Sequence, residues 1–366
     1  MIRSESIPIK LWIDKIELKT LKQIKNLANL PFVFGDIIVM PNCYQKYNMP
    51  TGIVLGTIDV LIPHAIGNDI GCGVCAIKTS LTNINNTILK RLLLKIQDII
   101  PIGFNNHKIQ QNKNLIPTNF PYNDIVESKL NNSYFQIGTL GNNDHFIEFQ
   151  KDEDDYIWIM IHSGSRKIGK EVTNYYNKKA IEHNIKWYSK IPAEYDLAFL
   201  PINCEIGKMY FEDMNFCIMF AQANRKLMMT RIKECINEIV TTNINFNPII
   251  DVVHNYAILE KYNGFNLIIH RKDAIRLYEN ETGILPGNQG SYSYIIKGKK
   301  NDYSFNSCSH GTGCKLNSFN TIHTIKTTNQ LDNAPGTYKD ITNIINQQLD
   351  LFTIAARLKP IATIKA

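Results

Sequence analysis

The sequence has no long apolar segment and no export signal. None of its apolar runs approaches the roughly 18 residues that a membrane-spanning helix needs. The N-terminal stretch MIRSESIPIKLWIDK has no apolar core of signal-peptide length. These absences predict a cytoplasmic protein that neither crosses a membrane nor is exported.

Linkers and repeats are also lacking. No Pro-, Gly- or Ser-rich stretch, block of like charge or internal repeat divides the 366 residues. The sequence therefore predicts one domain over residues 1–366, and its 44% apolar and 20% charged residues suit a globular fold. The net charge of +7 permits a polyanionic partner such as RNA without requiring one.

The cysteines are too scattered for a disulfide framework. Several of them can be small core residues, which leaves one or two for chemistry. The eight positions are Cys43, Cys72, Cys75, Cys204, Cys217, Cys235, Cys308 and Cys314.

Short apolar runs of strand length alternate with helical patterns, which predicts a mixed α/β fold. Runs such as YIWIMIHSG, NPIIDVVHN and FNLIIHRK are rich in β-branched residues and are bounded by Gly, Asn or Pro. Between residues 211 and 240 apolar residues recur every three to five positions, which predicts a core helix within a mainly helical scaffold over residues 168–240. Residues 103–135 are rich in Asn and Lys and predict a loop or a mobile lobe.

Polar clusters begin where apolar runs end. The first, GNDIGCGVC, places Asp69 and Cys72 on a glycine-rich turn, where a carboxylate and a thiolate can reach one metal ion. A structural turn with a buried cysteine explains the same residues. His145, His162 and His254 also lie at the ends of apolar runs, where a lone histidine is more often a hydrogen-bonded structural residue than a metal ligand. Strand ends in mixed α/β folds converge on clefts, which favours a shared site.

The octet SCSHGTGC combines His310 with two cysteines and two glycines. The spacing of Cys308, His310 and Cys314 suggests zinc, but structural zinc sites usually carry Cys-x-x-Cys knuckles, and this octet has none. The glycines after His310 keep the backbone slim enough for a bulky group, such as a nucleotide, to approach the imidazole.

Together these motifs resemble the RtcB-type RNA ligase family, which comprises tRNA-splicing or 3′-phosphate/5′-hydroxyl RNA ligases. Ten stretches occur in family order from residue 31 onward: PFVFGDIIVMPN, DIGCG, GTLGNNDHFIE, WIMIHSGSRKIG, VHNYAILE, HRKDA, LPGNQGSYSYIIKG, SHGTG, YKDI and LKPIATIKA. The resemblance implies an α/β domain with sheets around a central metal- and nucleotide-binding cleft and with peripheral helices.

The same resemblance implies an activity. The enzyme would use GTP and two Mn²⁺ ions to join an RNA 3′-phosphate or 2′,3′-cyclic phosphate to a 5′-hydroxyl through a histidine–GMP intermediate. The RNA would be a broken tRNA or rRNA, in RNA repair or tRNA splicing, and an activating protein or the ribosome is a further partner that it suggests. A Cys- and His-rich site intrinsically prefers zinc or another late metal, so manganese rests on the resemblance alone.

The resemblance also assigns residues. Asp69, Cys72, His145, His162 and His254 match the metal ligands, with the Cys72 thiolate bridging two ions, and His310 matches the guanylylated nucleophile. A neutral imidazole can attack phosphorus and leaves easily once protonated, and adjacent cations neutralise phosphoryl charge. The positions matched to nucleotide binding are Asp144, Glu148, Asn288, Ser293, His310, Gly311, Thr312, Gly313, Tyr338 and Lys365.

Several positions depart from the family pattern. Asp144 stands where the family usually has an asparagine near the nucleotide phosphate, and Asp273 replaces a glycine. Arg166 and Arg271 are candidate phosphate contacts or structural ion-pair partners. Further substitutions occur at Tyr44, Tyr47, Asn288, Gln289, Cys314, Asn317 and Ser318.

These departures indicate a divergent branch, of which the shorter release factor H-associated proteins are one example. They also keep two alternatives open. One is a metal-dependent 2′,3′-cyclic phosphate hydrolase without sealing activity, and the other is a non-catalytic factor that binds RNA ends or the ribosome.

Overall fold

Strands and helices alternate along the chain, and the mixed α/β fold that the sequence predicts is confirmed. The computed structural model describes residues 1–2, 4–46, 49–118, 121–142, 144–288, 290–313 and 338–365. Five of the substituted positions named above, Tyr47, Gln289, Cys314, Asn317 and Ser318, lie outside these ranges.

Sixteen strands lie within the described residues. In chain order they are β1 (Ile9–Leu11), β2 (Val33–Val39), β3 (Ile53–Thr57), β4 (Val60–Leu61), β5 (Gly73–Lys78), β6 (Phe146–Lys151), β7 (Ile157–Ser163), β8 (Leu200–Pro201), β9 (Ile250–Val253), β10 (Asn255–Tyr262), β11 (Phe265–Lys272), β12 (Ala274–Arg276), β13 (Thr282–Leu285), β14 (Ser293–Gly298), β15 (Ser307–Ser309) and β16 (Phe352–Lys365). Three of them, β7, β9 and β11, coincide with the apolar runs named above. The α-helices are α1 (Leu18–Ala28), α2 (Asn86–Ile99), α3 (Asp124–Gln136), α4 (Arg166–Lys186), α5 (Glu205–Ile239) and α6 (Ile341–Asn346).

Contacts between Cα atoms divide the chain into two compact units. Unit one comprises Met1–Gly67, Asn177–Gly207 and His254–Ala355, and unit two comprises Asn68–Tyr176, Lys208–Val253 and Ala356–Ala366. Each unit is assembled from segments that are distant in sequence. The single domain predicted over residues 1–366 stays a prediction.

Unit one contains a five-stranded sheet in the order β1-β2-β3-β11-β10. The β1–β2 pair is parallel and the other pairs are antiparallel. Helix α1 covers this sheet because Ile24, Leu27 and Ala28 recur at helical spacing and pack into its apolar core. Strands β10 and β11 form a hairpin whose turn, Asn263–Gly264, has positive φ at both residues, as a two-residue turn of this kind requires.

Unit two contains the antiparallel strands β16-β6-β7-β5-β9. Strand β7 is buried along its whole length and β5 along all but its last residue, which matches their continuous apolar sequences. Their side chains pack with α2 and α5, for example Leu92 and Ile232. Helix α2 begins where the Asn85 side chain accepts a hydrogen bond from the Ile88 N–H at 2.8 Å.

Residues 103–135 differ in part from the predicted loop. A 3-10 turn spans Lys113–Leu115, and α3 begins at Asp124. The side chains that α3 buries are Val126, Ser133 and Gln136, two of which are polar. The helix therefore has no apolar stripe from which its periodicity could be recognised.

Two further properties concern the described part of the chain. Among these residues, no helix combines the length and the apolar character needed to cross a membrane. Nor do any two of their cysteines form a disulfide.

Candidate functional site

Asp69 and Cys72 lie on the tight turn before β5, in unit two. The Cys72 N–H donates to the Asp69 carbonyl at 3.0 Å, which closes the turn. Gly71 has φ +76°, and a Cβ at this position would lie 2.7 Å from Ile218 Cα of α5. A Cβ at Gly164 would lie 2.2 Å from Asp69 Oδ1. Gly71 therefore lets the turn that carries Cys72 pack against α5, and Gly164 leaves space for the Asp69 carboxylate.

His145 and His162 complete a cluster with these two residues. His145 directly precedes β6, and His162 pairs with Phe146 in the β6–β7 register, so the two histidines lie at one edge of the sheet. Cys72 Sγ lies 3.5 Å from His145 Nε2 and 3.3 Å from His162 Nε2. Asp69 Oδ2 lies 3.1 Å from His145 Nε2. We call Asp69, Cys72, His145 and His162 the thiolate cluster.

The hydrogen bonding of His145 fixes which ring nitrogen faces the cluster. Its Nδ1 lies 2.9 Å from the Leu140 carbonyl oxygen, which can only accept a hydrogen bond. Nδ1 therefore carries a hydrogen, and Nε2 is the ring nitrogen that faces Cys72 and Asp69 and could bind a metal ion. The Sγ–Nε2 distances approach the value of about 3.6 Å expected for sulfur and nitrogen around a tetrahedral metal. This donor set fits a transition-metal ion.

Two buried residues of α5 hold the main chain around the thiolate cluster, and the sequence analysis did not predict either role. Arg225 Nη1 donates to the Gly71 carbonyl at 3.0 Å and to the Ser163 carbonyl at 2.8 Å, and its Nε donates to Asp251. Asn224 accepts from the Gly138 and Thr139 N–H groups and donates to the Thr139 and Gly164 carbonyls. The sequence feature that could have indicated these roles is the adjacent polar pair Asn224 and Arg225 within the apolar pattern of a core helix.

Cys72 and Cys75 have Cys-x-x-Cys spacing, but only Cys72 belongs to the thiolate cluster. Cys75 lies in β5 and packs into the apolar core of unit two. Burial raises the pKa of its thiol. The spacing therefore does not mark a zinc knuckle.

A second cluster lies in unit one and contains His254, Asp273 and His310. The rings of His254 and His310 are stacked with their centroids 3.6 Å apart and their planes within 5°. Asp273 Oδ1 lies 3.3 Å from His254 Nδ1, and the Asp273 carbonyl accepts from the His310 N–H at 3.2 Å. We call His254 and His310 the imidazole pair.

The environment of His310 favours its neutral form. Burial and the adjacent His254 hold the pKa of His310 well below its ordinary value, against the attraction of the Asp273 carboxylate. Gly311 and Gly313, which follow in the chain, have φ +66° and +67°. A Cβ at Gly313 would lie 2.3 Å from the Asn42 carbonyl oxygen, so the turn after His310 requires a residue without a side chain. Thr312 is buried in this turn.

Glu148 and Lys365 lie on adjacent strands of unit two. In the β6–β16 register Glu148 faces Thr363 and Lys365 faces Phe146. Thr363 Oγ1 donates to Glu148 Oε1 at 2.7 Å, and Gln150 Nε2 donates to Oε2. Burial raises the pKa of Glu148, while these hydrogen bonds and the Lys365 charge oppose that change. Lys365 is therefore a paired strand residue and not a solvated tail residue.

The remaining matched positions lie in loops and at element ends of both units. Ser293 Oγ accepts from the Gly287 N–H at 3.0 Å, and the Asn288 N–H donates to Ser291 Oγ at 2.8 Å, so both residues order the same loop of unit one. Tyr338 is half-buried and precedes a residue whose N–H donates to the Gly313 carbonyl. Asp144 is exposed and directly precedes His145.

The two arginines of the sequence analysis have different surroundings. Arg271 is fully buried and donates to both carboxylate oxygens of Glu260, at 2.7 and 3.1 Å. Of the two predicted roles, phosphate contact or structural ion-pair partner, its geometry fits the second. Arg166 lines a cavity of about 700 Å³ in unit two together with Asp69 and His145. Its side chain donates to Thr139 Oγ1 and to the Gly103 carbonyl.

A family model described as "tRNA-splicing ligase RtcB" matches residues 23–366. The chain belongs to the RtcB family. It is 30% identical over 407 residues to "RNA-splicing ligase RtcB" of Escherichia coli (strain K12), with 100% of this chain and 99% of that protein covered.

Two archaeal members named "tRNA-splicing ligase RtcB" are also similar to the chain. The Methanococcus maripaludis protein is 26% identical over 457 residues, with 98% of this chain and 95% of that protein covered. The Thermococcus kodakarensis protein is 25% identical over 439 residues, with 95% and 91% covered. The resemblance to the RtcB family that the motifs indicated is thus confirmed.

Proposed function

We propose that the protein is an RNA ligase of the RtcB type. It joins RNA 3′-phosphate or 2′,3′-cyclic phosphate ends to 5′-hydroxyl ends, using GTP and Mn²⁺, and acts in the cytoplasm on broken tRNA or rRNA. The observation that carries this proposal is the convergence of a thiol, two imidazole nitrogens and a carboxylate in the thiolate cluster. Family membership and the names of the relatives add the reaction class.

His310 is the proposed nucleophile. A ring nitrogen of the neutral imidazole forms a bond to the α-phosphorus of GTP, the bond between the α-phosphorus and its bridging oxygen breaks, and pyrophosphate leaves. The lowered pKa of His310 supports this role because the neutral ring keeps a nucleophilic lone pair. Beside the imidazole, the backbone of Gly311 is open, since the atom nearest to a Cβ built there would be the Pro286 carbonyl oxygen at 3.4 Å, and a nucleotide phosphate could approach on this side.

Asp69, Cys72, His145 and His162 are the proposed ligands of the metal ions, and His254 is the further ligand that the resemblance assigns. When bound, the ions would neutralise negative charge on the transferred phosphoryl group. The thiolate and imidazoles would also suit late transition metals, so manganese is a proposal from the family and not from the donor set.

Glu148 and Lys365 are the proposed contacts to guanine. The Glu148 carboxylate can accept hydrogen bonds from the N1–H and exocyclic amine of guanine, a pattern that adenine does not offer. Its existing hydrogen bonds to Thr363 and Gln150 hold the carboxylate in place. We expect Lys365→Ala to slow guanylylation more than sealing from a preformed adduct, and equal losses in both steps would contradict this assignment.

The RNA is proposed to contact the cationic wall of the unit-two cavity. Arg166, Lys167 and Lys170 line this cavity of about 700 Å³. An activating protein or the ribosome is a further proposed partner for the steps on RNA, whereas the first step consumes GTP and involves no RNA. The first test can therefore be made on the isolated protein.

The test is intact-protein mass spectrometry after incubation with GTP and Mn²⁺. A mass gain of one GMP is expected in the wild type and is expected to be lost in His310→Ala. His183→Ala, which changes a histidine in the last turn of α4, is the matched control and should retain the adduct. An adduct that persists in His310→Ala would exclude His310 as the nucleophile.

Asp144 favours a second candidate function. A carboxylate at this exposed position, directly before His145, would repel a nucleotide phosphate. The alternative is a metal-dependent 2′,3′-cyclic phosphate hydrolase without sealing activity. It predicts cyclic-phosphate opening by the wild type without a GMP adduct, together with a gain of the adduct in Asp144→Asn. A non-catalytic RNA-end-binding factor would show neither activity.

A further inference from the structure

Asp273 occupies a backbone conformation that glycine adopts more readily than aspartate. It lies between β11 and β12 with φ +53°, in the left-handed region that glycine adopts without steric cost. A strained residue of this kind persists when its surroundings hold it in place, and such residues concentrate at functional sites. The carboxylate of Asp273 is therefore the feature that needs an explanation.

Each polar group of Asp273 contacts a different part of the site. The N–H donates to Asn255 Oδ1 at 2.9 Å, and the carbonyl accepts from the His310 N–H at 3.2 Å and from Asn42 Nδ2 at 2.8 Å. The side chain Oδ1 lies 3.3 Å from His254 Nδ1. Glycine could keep all three main-chain contacts, so what the carboxylate adds is the contact to His254 and a negative charge beside the imidazole pair.

This contact determines how the imidazole pair is arranged. A carboxylate oxygen beside His254 Nδ1 favours a hydrogen on that nitrogen, which in the neutral ring leaves the lone pair on Nε2. It also restrains rotation of the His254 ring, which stacks on His310 with the ring centroids 3.6 Å apart. We propose that Asp273 is a positioning residue that fixes the tautomer and orientation of His254 and thereby the surface against which the His310 ring is held.

The inference rests on the proposed function, in which His310 accepts GMP. Its test begins on metal-free protein, in the absence of nucleotide. In wild type labelled with ¹⁵N-histidine, long-range ¹H–¹⁵N correlation spectra should show His254 predominantly as the Nδ1–H tautomer, with the signals assigned by comparison with His254→Gln. In Asp273→Gly, both tautomers should be populated.

Stability and rate distinguish positioning from a general structural role. Asp273→Gly relieves the left-handed strain and should not melt at a lower temperature than the wild type. Its rate of GMP-adduct formation should nevertheless fall at least tenfold. Asp273→Asn keeps an oxygen that can accept from His254 Nδ1 and tolerates positive φ, so it should restore most of the tautomer preference and of the rate.

The two proposals fail separately. Unchanged tautomer populations in Asp273→Gly would overturn the positioning role, even if the wild type forms the adduct. A shifted tautomer in Asp273→Gly, in a wild type that forms no adduct, would support the positioning role and reject the ligase. A lower melting temperature with an unchanged adduct rate would assign Asp273 to stability alone and overturn the inference.

Discussion

Replacement of Arg225 should weaken both the fold of unit two and metal binding at the thiolate cluster. The guanidinium is fully buried, donates to the carbonyls of Gly71 and Ser163, and pairs with Asp251. Gly71 precedes Cys72 and Ser163 follows His162 in the chain. One side chain therefore fixes the main chain next to two proposed ligands.

The contacts of Arg225 give the size of the stability loss expected in Arg225→Met. Two buried carbonyl oxygens lose their donor, at about 1–3 kcal/mol each. The Asp251 carboxylate loses its partner, but its side chain is 21% exposed and water can solvate part of the charge. The sum lies near the 3–5 kcal/mol typical of breaking a buried ion pair, so we expect a loss of about 4 kcal/mol in the free energy of unfolding. Because domains are stable by about 5–15 kcal/mol, the protein should still fold.

Arg225→Lys keeps the charge but cannot reach both carbonyls and the carboxylate in one planar geometry. We expect this variant to bind metal about 10–100-fold more weakly, as changes to residues that orient metal ligands do. Urea unfolding of the metal-free protein measures stability. Titration with Co²⁺ measures affinity, because the thiolate-to-cobalt absorption reports the bond to Cys72.

Arg271→Met is the matched control. Arg271 is also fully buried with a carboxylate partner, but it belongs to unit one and contacts Glu260, Ser307 and the Phe305 carbonyl. It should lose a similar free energy of unfolding without a change in the thiolate-to-cobalt absorption. Wild-type Co²⁺ affinity in Arg225→Lys would refute the reasoning.

Three further predictions concern residues of unit two. Cys72→Ala should abolish the thiolate-to-metal absorption and activity, whereas Cys75→Ala, a change three residues away in the core, should keep the absorption; full ligation by the first variant would contradict the ligand assignment. Gly141→Ala and Gly264→Ala both place a side chain at positive φ, but only at Gly141 would the Cβ lie 2.0 Å from a guanidinium nitrogen and 2.5 Å from an imidazole nitrogen. Calorimetry should show a loss of stability in both, and the Co²⁺ titration should show lost binding in Gly141→Ala alone. Burial raises the pKa of Asp213 to about 6 from an ordinary value of 3.8. Because the folded pKa lies above the unfolded one, this group should contribute up to about 3 kcal/mol of stability below pH 4 that is lost as the pH rises to about 6. The difference in unfolding free energy between wild type and Asp213→Asn, measured in urea at several pH values, should change across that window; a constant difference would show that Asp213 does not titrate there.

The sequence was most informative where reactive side chains follow apolar strands. His162 in WIMIHSG and Cys72 in DIGCG were recognisable because their neighbours have strand periodicity and their atoms can bind metals. Helix α5 was predicted between residues 211 and 240 and spans Glu205–Ile239. Helix α3 was not predicted because polar side chains make up most of its buried face. Its position depends on tertiary contacts that local periodicity does not encode.

The residues that hold the two clusters were harder to predict, because their partners are main-chain carbonyls distant in sequence. Asn224 lies four residues after Phe220 and four before Met228, both of them buried, so a polar residue interrupts the apolar stripe of α5. That interruption is the feature of the sequence that could have pointed to Asn224. Which carbonyls the side chain contacts depends on the fold.

The two clusters share a principle of construction. Arg225 donates to the carbonyls of residues next to Cys72 and His162, and Asn42 Nδ2 donates to the carbonyls of Asp273 and His310 at 2.8 and 2.9 Å. In each case a buried donor fixes the main chain on which a reactive side chain stands. The position of the thiol or imidazole is thereby set without using its own sulfur or ring nitrogen for that contact. Because an apolar replacement leaves buried carbonyls without a donor, these residues link stability to site geometry. A buried Asn or Arg that bonds carbonyls beside strand ends is therefore a guide to the functional site of such a fold, even though it has no chemical role itself.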